Sequence, residues 1–427
     1  MLVYNMLAII SLILLAFYLF SVDTEISSLL FTESTLKYED QPIPYCNPGL
    51  DCKRIVYGDK KYLEIARRKL KVMRNYELDM NCTAILNRFR VHSSRRMKYP
   101  IAFAKLVYTD YAFLEHQMWL TYSPDYQYCY AIDDKSSLSF KDNINQLAEC
   151  LPNVVVTDIP RKYDSGGHNH NYGHLDCMRA LSSRKWNHII LMQNHDIVIK
   201  TPVEMERIFT SVNGSNLLRI YACPSGRCPA SLEQNLGKLG LCPRSLRGEE
   251  AETCRNSKIK WGKSMMEAAL SRETVDFMLS EMNLTKLIDQ FERRYNSDEQ
   301  YLQSILWTEA LKVPGRYNSE CVTHPAVRYS VWWDKSKCAS GRMRHGLCVF
   351  GVADLPRVVN VPQIVLNKMI PTIDYGAIYC LGEDMHNRSR SGMDWLFDTE
   401  YFTNLNIVRY QLQSRKEGFD SKNFKCT

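Results

Sequence analysis

The stretch Trp186–Pro202, WNHIILMQNHDIVIKTP, decides how the chain is read. Ile189-Ile190-Leu191-Met192 is an apolar run of buried-strand length, and it breaks directly into Gln193-Asn194-His195-Asp196. Ligands of open α/β sheets gather at the carboxyl ends of strands, so Asp196 stands where a carboxylate could meet a substrate. A surface acid that merely ends a strand is the plainer alternative.

The elements around that stretch repeat one pattern. Strands at Pro100–Tyr108, Tyr126–Ile132 and Asn153–Thr157 alternate with helices at Tyr111–Tyr122, Phe140–Cys150 and Leu175–Leu181 before the Ile189 strand is reached. This spacing predicts an α/β fold with a mostly parallel central sheet and helices on both faces. Nucleotide and nucleotide-sugar sites are commonly built on that frame, although a frame never establishes function.

The chain has 427 residues, ordinary apolar content and no long low-complexity tract, which excludes a disordered protein. Met6–Val22 is an uncharged apolar run long enough to span a bilayer, with no clear cleavage site after it. The expected organisation is a short cytoplasmic tail at 1–5, a signal-anchor helix at 6–22, a stem and N-terminal subdomain at 23–97 with a helix over Lys61–Met73, and a lumenal domain at 98–427. A cleaved signal peptide is the alternative, and both send the remainder into a lumen. Fifteen dispersed cysteines and four acceptor sequons, at Asn81, Asn213, Asn283 and Asn387, agree with that address. The odd total leaves at least one thiol free or paired between chains. Cys223, Cys228, Cys242 and Cys254 lack the spacing of a zinc ribbon. The net charge of +7 is modest, and no nucleic-acid motif accompanies it.

A family resemblance rests on motifs in order: PIAFAKLVY, YCYAIDDKSS, NVVV, GHLDCM, WNHIILMQNHDIVIKTP, NSDEQYL, the Cys338–Cys348 loop followed by Phe350–Leu355, and LNK before YCL. Their order and spacing from about Tyr99 to Met385 resemble the Core-2/I-branching β-1,6-N-acetylglucosaminyltransferases. The resemblance implies a GT-A-like nucleotide-sugar transferase fold, inverting and metal-independent, anchored in the Golgi membrane as a single-pass type II protein. The donor would be UDP-GlcNAc, or in a close variant a xylose or glucuronic acid donor, and the acceptor a hydroxyl of a glycan.

Inverting transfer needs a base for the acceptor proton and positive charge for the departing diphosphate. No Asp-x-Asp metal motif occurs, and adjacent Asp133-Asp134 cannot share one face of a strand, so cations must replace the metal. The resemblance places the base at Glu299 within Asn296-Ser297-Asp298-Glu299, which matches the family's Ser-Pro-Asp-Glu in Asp and Glu alone. The plainer alternative is a capping-box acid: Ser297 with Gln300 would start a Tyr301–Leu311 helix, and acids suit a first turn. For the phosphate clamp the resemblance offers Lys368 and, counting from Cys338, Arg344; counting back from Cys348 gives His345. Asp133 corresponds to an acid near the nucleoside, and Tyr108 replaces a His and could stack on uracil. Asp196 and one of the adjacent tryptophans, Trp332 or Trp333, are the acceptor-side candidates. His168 and His170 could share an ion from an extended strand, but Gly166-Gly167 and two asparagines favour a polar loop, so no metal is assigned. The resemblance also implies disulfides Cys82 to Cys150, Cys129 to Cys177, Cys338 to Cys348, and Cys46 or Cys52 to Cys380. A noncatalytic, membrane-anchored glycan-binding protein with the same fold is the second functional class.

Overall fold

β1 (Ile101–Val107) is buried at every residue and runs through the middle of a six-stranded sheet. The computed structural model describes residues 43–68, 77–93 and 95–427. The signal-anchor segment Met6–Val22 lies outside the described residues, as does the end of the Lys61–Met73 helix, whose described part is Lys60–Arg68. Among the described residues no helix is long and apolar enough to cross a membrane.

The sheet joins β1 to β2 (Gln127–Ile132), β3 (Val154–Val156) and β4 (His188–Gln193), then to β9 (Ala268–Ser271) and β6 (Leu217–Leu218), in the order β3-β2-β1-β4-β9-β6. The first four strands are parallel, while β9 and β6 add an antiparallel edge. The expected mostly parallel α/β sheet is therefore present. Helices Tyr111–Thr121, Leu138–Cys150 and His170–Ala180 follow β1, β2 and β3. The first buries residues on every side, so it carries no amphipathic stripe and is an internal helix.

Strand order fixes where a ligand can bind. The chain moves outward from β1 to β2 and β3 and returns on the other side as β4, which makes the carboxyl ends of β1 and β4 the topological switch point. Asn194 ties those ends together, its side-chain oxygen accepting from the backbone N–H of Tyr108 (2.7 Å) and of Thr109 (3.2 Å).

A second sheet hangs from the same place. β5 (Asp196–Val198) leaves β4 after a two-residue turn and pairs antiparallel with β13 (Val365–Asn367), itself parallel to β10 (Arg328–Tyr329). Two short ribbons complete the strands: β7 (Tyr221–Ala222) with β8 (Gly262–Lys263), and β11 (Met343–Arg344) with β12 (Leu347–Cys348).

Seven disulfides close the chain: Cys52–Cys380, Cys82–Cys150, Cys129–Cys177, Cys223–Cys228, Cys242–Cys254, Cys321–Cys426 and Cys338–Cys348. Cys52 rather than Cys46 takes Cys380, and Cys46 is the exposed free thiol. The four sequon residues Asn81, Asn213, Asn283 and Asn387 are all exposed.

Candidate functional site

Asp196 does not line an open surface. It is completely buried, and its carboxylate accepts from the Gln193 N–H (2.6 Å), from Arg328 (2.6 Å) and from the Asn367 amide (2.7 Å). Its carbonyl accepts from Lys105 (3.0 Å) and Gln117 (2.6 Å). The acceptor-side reading of Asp196 is corrected accordingly: the turn after β4 folds this residue inward, where it pins the second sheet to the first. Arg328 comes from β10 and Asn367 from β13, so one carboxylate fastens three strands.

That pin sets the position of Lys368, the residue after β13, whose neighbour Met369 donates its N–H to the His195 carbonyl (3.1 Å). Burial brings the Lys368 ammonium down to about 8, the charges of Arg344 and Arg328 act in the same direction, and Asp196 opposes them. Arg344 arrives from the Cys338–Cys348 loop. There His345 (φ 52°) and Gly346 (φ 78°) make a two-residue turn with both residues left-handed, the geometry of a primed hairpin turn. Arg344 is the last strand residue before it.

The tryptophans brace this hairpin. Trp332 bridges Leu347, and Trp333 donates its N–H to the Gly346 carbonyl (2.8 Å) while its indole lies against Gly346. A Cβ on Gly346 would stand 2.3 Å from that ring, so glycine is required there. Trp333 is 74% exposed and Trp332 38%, so both present aromatic surface beside the hairpin that carries Arg344.

Tyr108 faces Arg344 from the end of β1. Burial raises its phenol above the ordinary value, and the Arg344 charge opposes that rise while Asp110 and Asp133 add to it. The structure thus brings Tyr108, Asp133, Arg344 and Lys368 within electrostatic reach at the switch point. Asp133 is mostly buried, one oxygen accepting from the N–H groups of Lys135 (3.0 Å) and Tyr163 (3.4 Å). Sequence reasoning missed Asp110, which pairs with His195 (2.7 Å) beside the Tyr108 hydroxyl. A cleft of about 470 Å3 opens there, lined by Asp110, Tyr111, Phe113, Ser139 and Asn143 among others. Arg344 and Lys368 make no salt bridge among the described residues, and two cations close enough to repel each other suit an anionic ligand.

Glu299 lies in a 3-10 turn, Ser297–Glu299, ahead of the helix Tyr301–Trp307. The predicted capping box is absent. Asn296 takes a left-handed conformation (φ 59°), Ser297 caps nothing, and the helix ends at Trp307 rather than Leu311. Helix capping therefore does not explain Glu299. Its carboxylate accepts from Lys263 of β8, and both side chains are mostly buried. Burial raises the Glu299 carboxyl above the ordinary carboxylate range, Lys263 and Arg227 pull it back, and Asp298 adds to the rise.

The His168–His174 segment has a different task from the one expected of it. His170 starts a helix instead of lying in a loop, and its Nδ1 is 2.8 Å from the buried Asp298 carboxylate. Burial pushes the Asp298 carboxyl up, but the His170 contact, a backbone N–H and the nearby His174 together hold the group below its ordinary value. Asn171 donates to the Ser297 carbonyl (2.9 Å), and Ser297 donates its N–H to the Gly166 carbonyl (3.2 Å). Gly167 (φ 84°) leaves room for Asp298, since a Cβ would stand 2.3 Å from its oxygen. His168 pairs with Asp164 instead, so the two histidines serve different carboxylates and do not converge on one ion. The Gly-Gly-His-Asn-His-Asn segment is a cradle for the Glu299 turn; the paired glycines were its one visible signal.

The charged features built around the switch point are thus two neighbouring cations, Arg344 and Lys368, and, in the Glu299 turn, a mostly buried carboxylate paired with Lys263. The chain belongs to the Core-2/I-Branching enzyme family, whose pattern matches residues 101–359, and it is an enzyme of the glycosyltransferase class. Similar proteins include the human beta-1,3-galactosyl-O-glycosyl-glycoprotein beta-1,6-N-acetylglucosaminyltransferase, 25% identical over 382 residues, covering 80% of this chain and 87% of that one. The rat enzyme of that name numbered 3 is 22% identical over 395 residues, covering 84% and 87%. Human N-acetyllactosaminide beta-1,6-N-acetylglucosaminyl-transferase is 23% identical over 286 residues, covering 65% and 69%.

Proposed function

We propose that the chain is an inverting, metal-independent glycosyltransferase of GT-A type that moves N-acetylglucosamine from UDP-GlcNAc to a hydroxyl of a glycan acceptor. The observation that carries this is the pair Arg344 and Lys368, two cations that make no salt bridge among the described residues, near the carboxyl ends of β1 and β4. The acceptor oxygen attacks the anomeric carbon and its proton passes to Glu299. The bond from that carbon to the diphosphate oxygen breaks, and its electron pair leaves with UDP. Arg344 and Lys368 stabilise the charge that develops on the leaving group, the task a metal performs elsewhere. Burial makes Glu299 more basic than an exposed carboxylate, which suits a general base.

Tyr108 is assigned to the uracil and Asp133 to the ribose; Trp332 and Trp333 are assigned to the acceptor sugar, whose C–H face suits an aromatic plane. Seven disulfides and four exposed sequon residues support an oxidising, lumenal address. With Met6–Val22 as the anchor, that address is the Golgi lumen on a type II membrane protein.

One observation favours the noncatalytic glycan-binding alternative: Glu299 already has a cation on its carboxylate. Donor turnover separates the two. With UDP-GlcNAc and excess EDTA the protein is expected to release UDP at an undiminished rate. Loss of activity with EDTA and recovery with manganese would overturn the cation-clamp assignment. UDP binding without turnover of any UDP-sugar in a panel would establish the noncatalytic reading.

A further inference from the structure

The ribbon that carries Lys263 is fastened on both sides. β8 pairs with β7 in the register Tyr221↔Lys263, and β7 runs into Cys223, whose N–H donates to the Trp261 carbonyl (3.0 Å) and whose sulfur is bonded to Cys228. On its other side the Gly262 N–H donates to Ser304 Oγ (3.0 Å), Gln303 donates to the Met265 carbonyl (3.0 Å), and the Ser264 N–H donates to the carbonyl of Glu299 itself (3.0 Å). A Cβ at Gly262 would stand 2.8 Å from the Gln303 backbone, so the strand lies flush on the Glu299 segment.

Lys263 is thereby held against the Oε2 of Glu299, with a longer contact to the Ser264 carbonyl (3.4 Å) and with 12% and 17% of the Lys263 and Glu299 side chains exposed. A pair this enclosed escapes most of the solvent screening that makes exposed ion pairs weak. The other charged groups acting on Glu299 are Arg227 from the Cys223–Cys228 loop and Asp298 from its own turn, the latter turned toward His170.

We propose that Lys263 is a positioning residue for the base: it takes one oxygen of Glu299, keeps the carboxylate ionised in a site that disfavours its charge, and leaves the other oxygen for the acceptor hydroxyl. This rests on Glu299 being the base. In the transfer step the proton passes from the acceptor hydroxyl to the free oxygen of Glu299, and the Lys263 ammonium touches no reacting atom. The pairing that favours a noncatalytic protein on a first inspection is, on this reading, what keeps the base in service.

The test is the pH profile of kcat/KM for wild type, Lys263→Met, Lys263→Gln and Lys263→Arg, with Glu299→Gln measured in the same series. Lys263→Met keeps the length of the side chain and removes its charge, so burial alone governs Glu299. We expect kcat/KM to fall by about tenfold at about pH 6, with a loss that shrinks steadily as pH rises, because an opposite charge no longer favours the ionised base. Lys263→Arg should restore most of the acid-side activity. Should Lys263→Met fail to fold, the Lys263→Gln profile decides in its place. A loss of equal size at every pH, or Lys263→Arg no better than Lys263→Met, would overturn the proposal and leave Lys263 a packing residue. Wild-type turnover in Glu299→Gln would instead overturn the assignment of the base, whatever the Lys263 variants do.

Discussion

Glu299→Gln is expected to lower donor-saturated turnover by about 10²-fold or more, read at a temperature at which the variant is fully folded. Glutamine keeps the reach of the side chain, and its oxygen still accepts from Lys263, so the packing around the 3-10 turn is preserved. What disappears is the capacity to take a proton. Because the turn is not the first turn of an α-helix, the residue contributes no dipole complement whose loss would mimic this effect. Asp298→Asn gives the opposite signature. That carboxylate is buried against His170, and the variant should lose stability by about 1–3 kcal/mol as the pair is broken. Equal and small losses of turnover in both variants would leave Glu299 without a chemical role.

Arg328→Met is expected to cost about 3–5 kcal/mol of stability at neutral pH, read from thermal or urea unfolding with the disulfides intact. Arg328 is 6% exposed and pairs with Asp196, which is wholly buried; without it the Asp196 carboxylate keeps only Gln193 and Asn367 as hydrogen-bond partners. The deficit should depend on pH through Glu267, a buried carboxyl that burial raises to about 7 while Arg328 opposes the rise. A carboxyl raised in the fold contributes stability that is complete below its ordinary value of 4.5 and is lost as pH rises through about 7. Removing Arg328 enlarges that rise, so the variant should fall further behind wild type at about pH 8 than at about pH 5. A deficit of one size at both pH values would separate Glu267 from this cluster.

The central sheet was legible because β1, β2 and β4 are apolar runs interrupted by helix-length segments, and burial on both faces demands that composition. The antiparallel edge was not, since β9 and β6 are too short to show a period. Asp196 shows the limit most clearly. Its place after β4 was readable, but its partners Arg328 and Asn367 are 132 and 171 residues away, and only the folded chain brings them in. The Ser297–Gln300 pattern failed for a local reason: Asn296 adopts a left-handed conformation, and the segment is pulled onto Gly166 and Asn171 before any cap can form. Arg344 against His345 could not be settled by counting from either cysteine. In the fold Arg344 is the strand residue whose charge reaches Tyr108 and Lys368, and His345 occupies the turn. Lys263 carried no sequence signal, because its significance comes entirely from a two-residue strand lying on the Glu299 turn.

The most direct measurement is proton NMR of a metal-free reaction containing wild-type protein, UDP-GlcNAc and a glycan with free hydroxyls. The account predicts a new β-linked N-acetylglucosamine anomeric signal that grows in step with UDP release. An α-linked product, or UDP-GlcNAc left intact by protein that binds UDP, would contradict it.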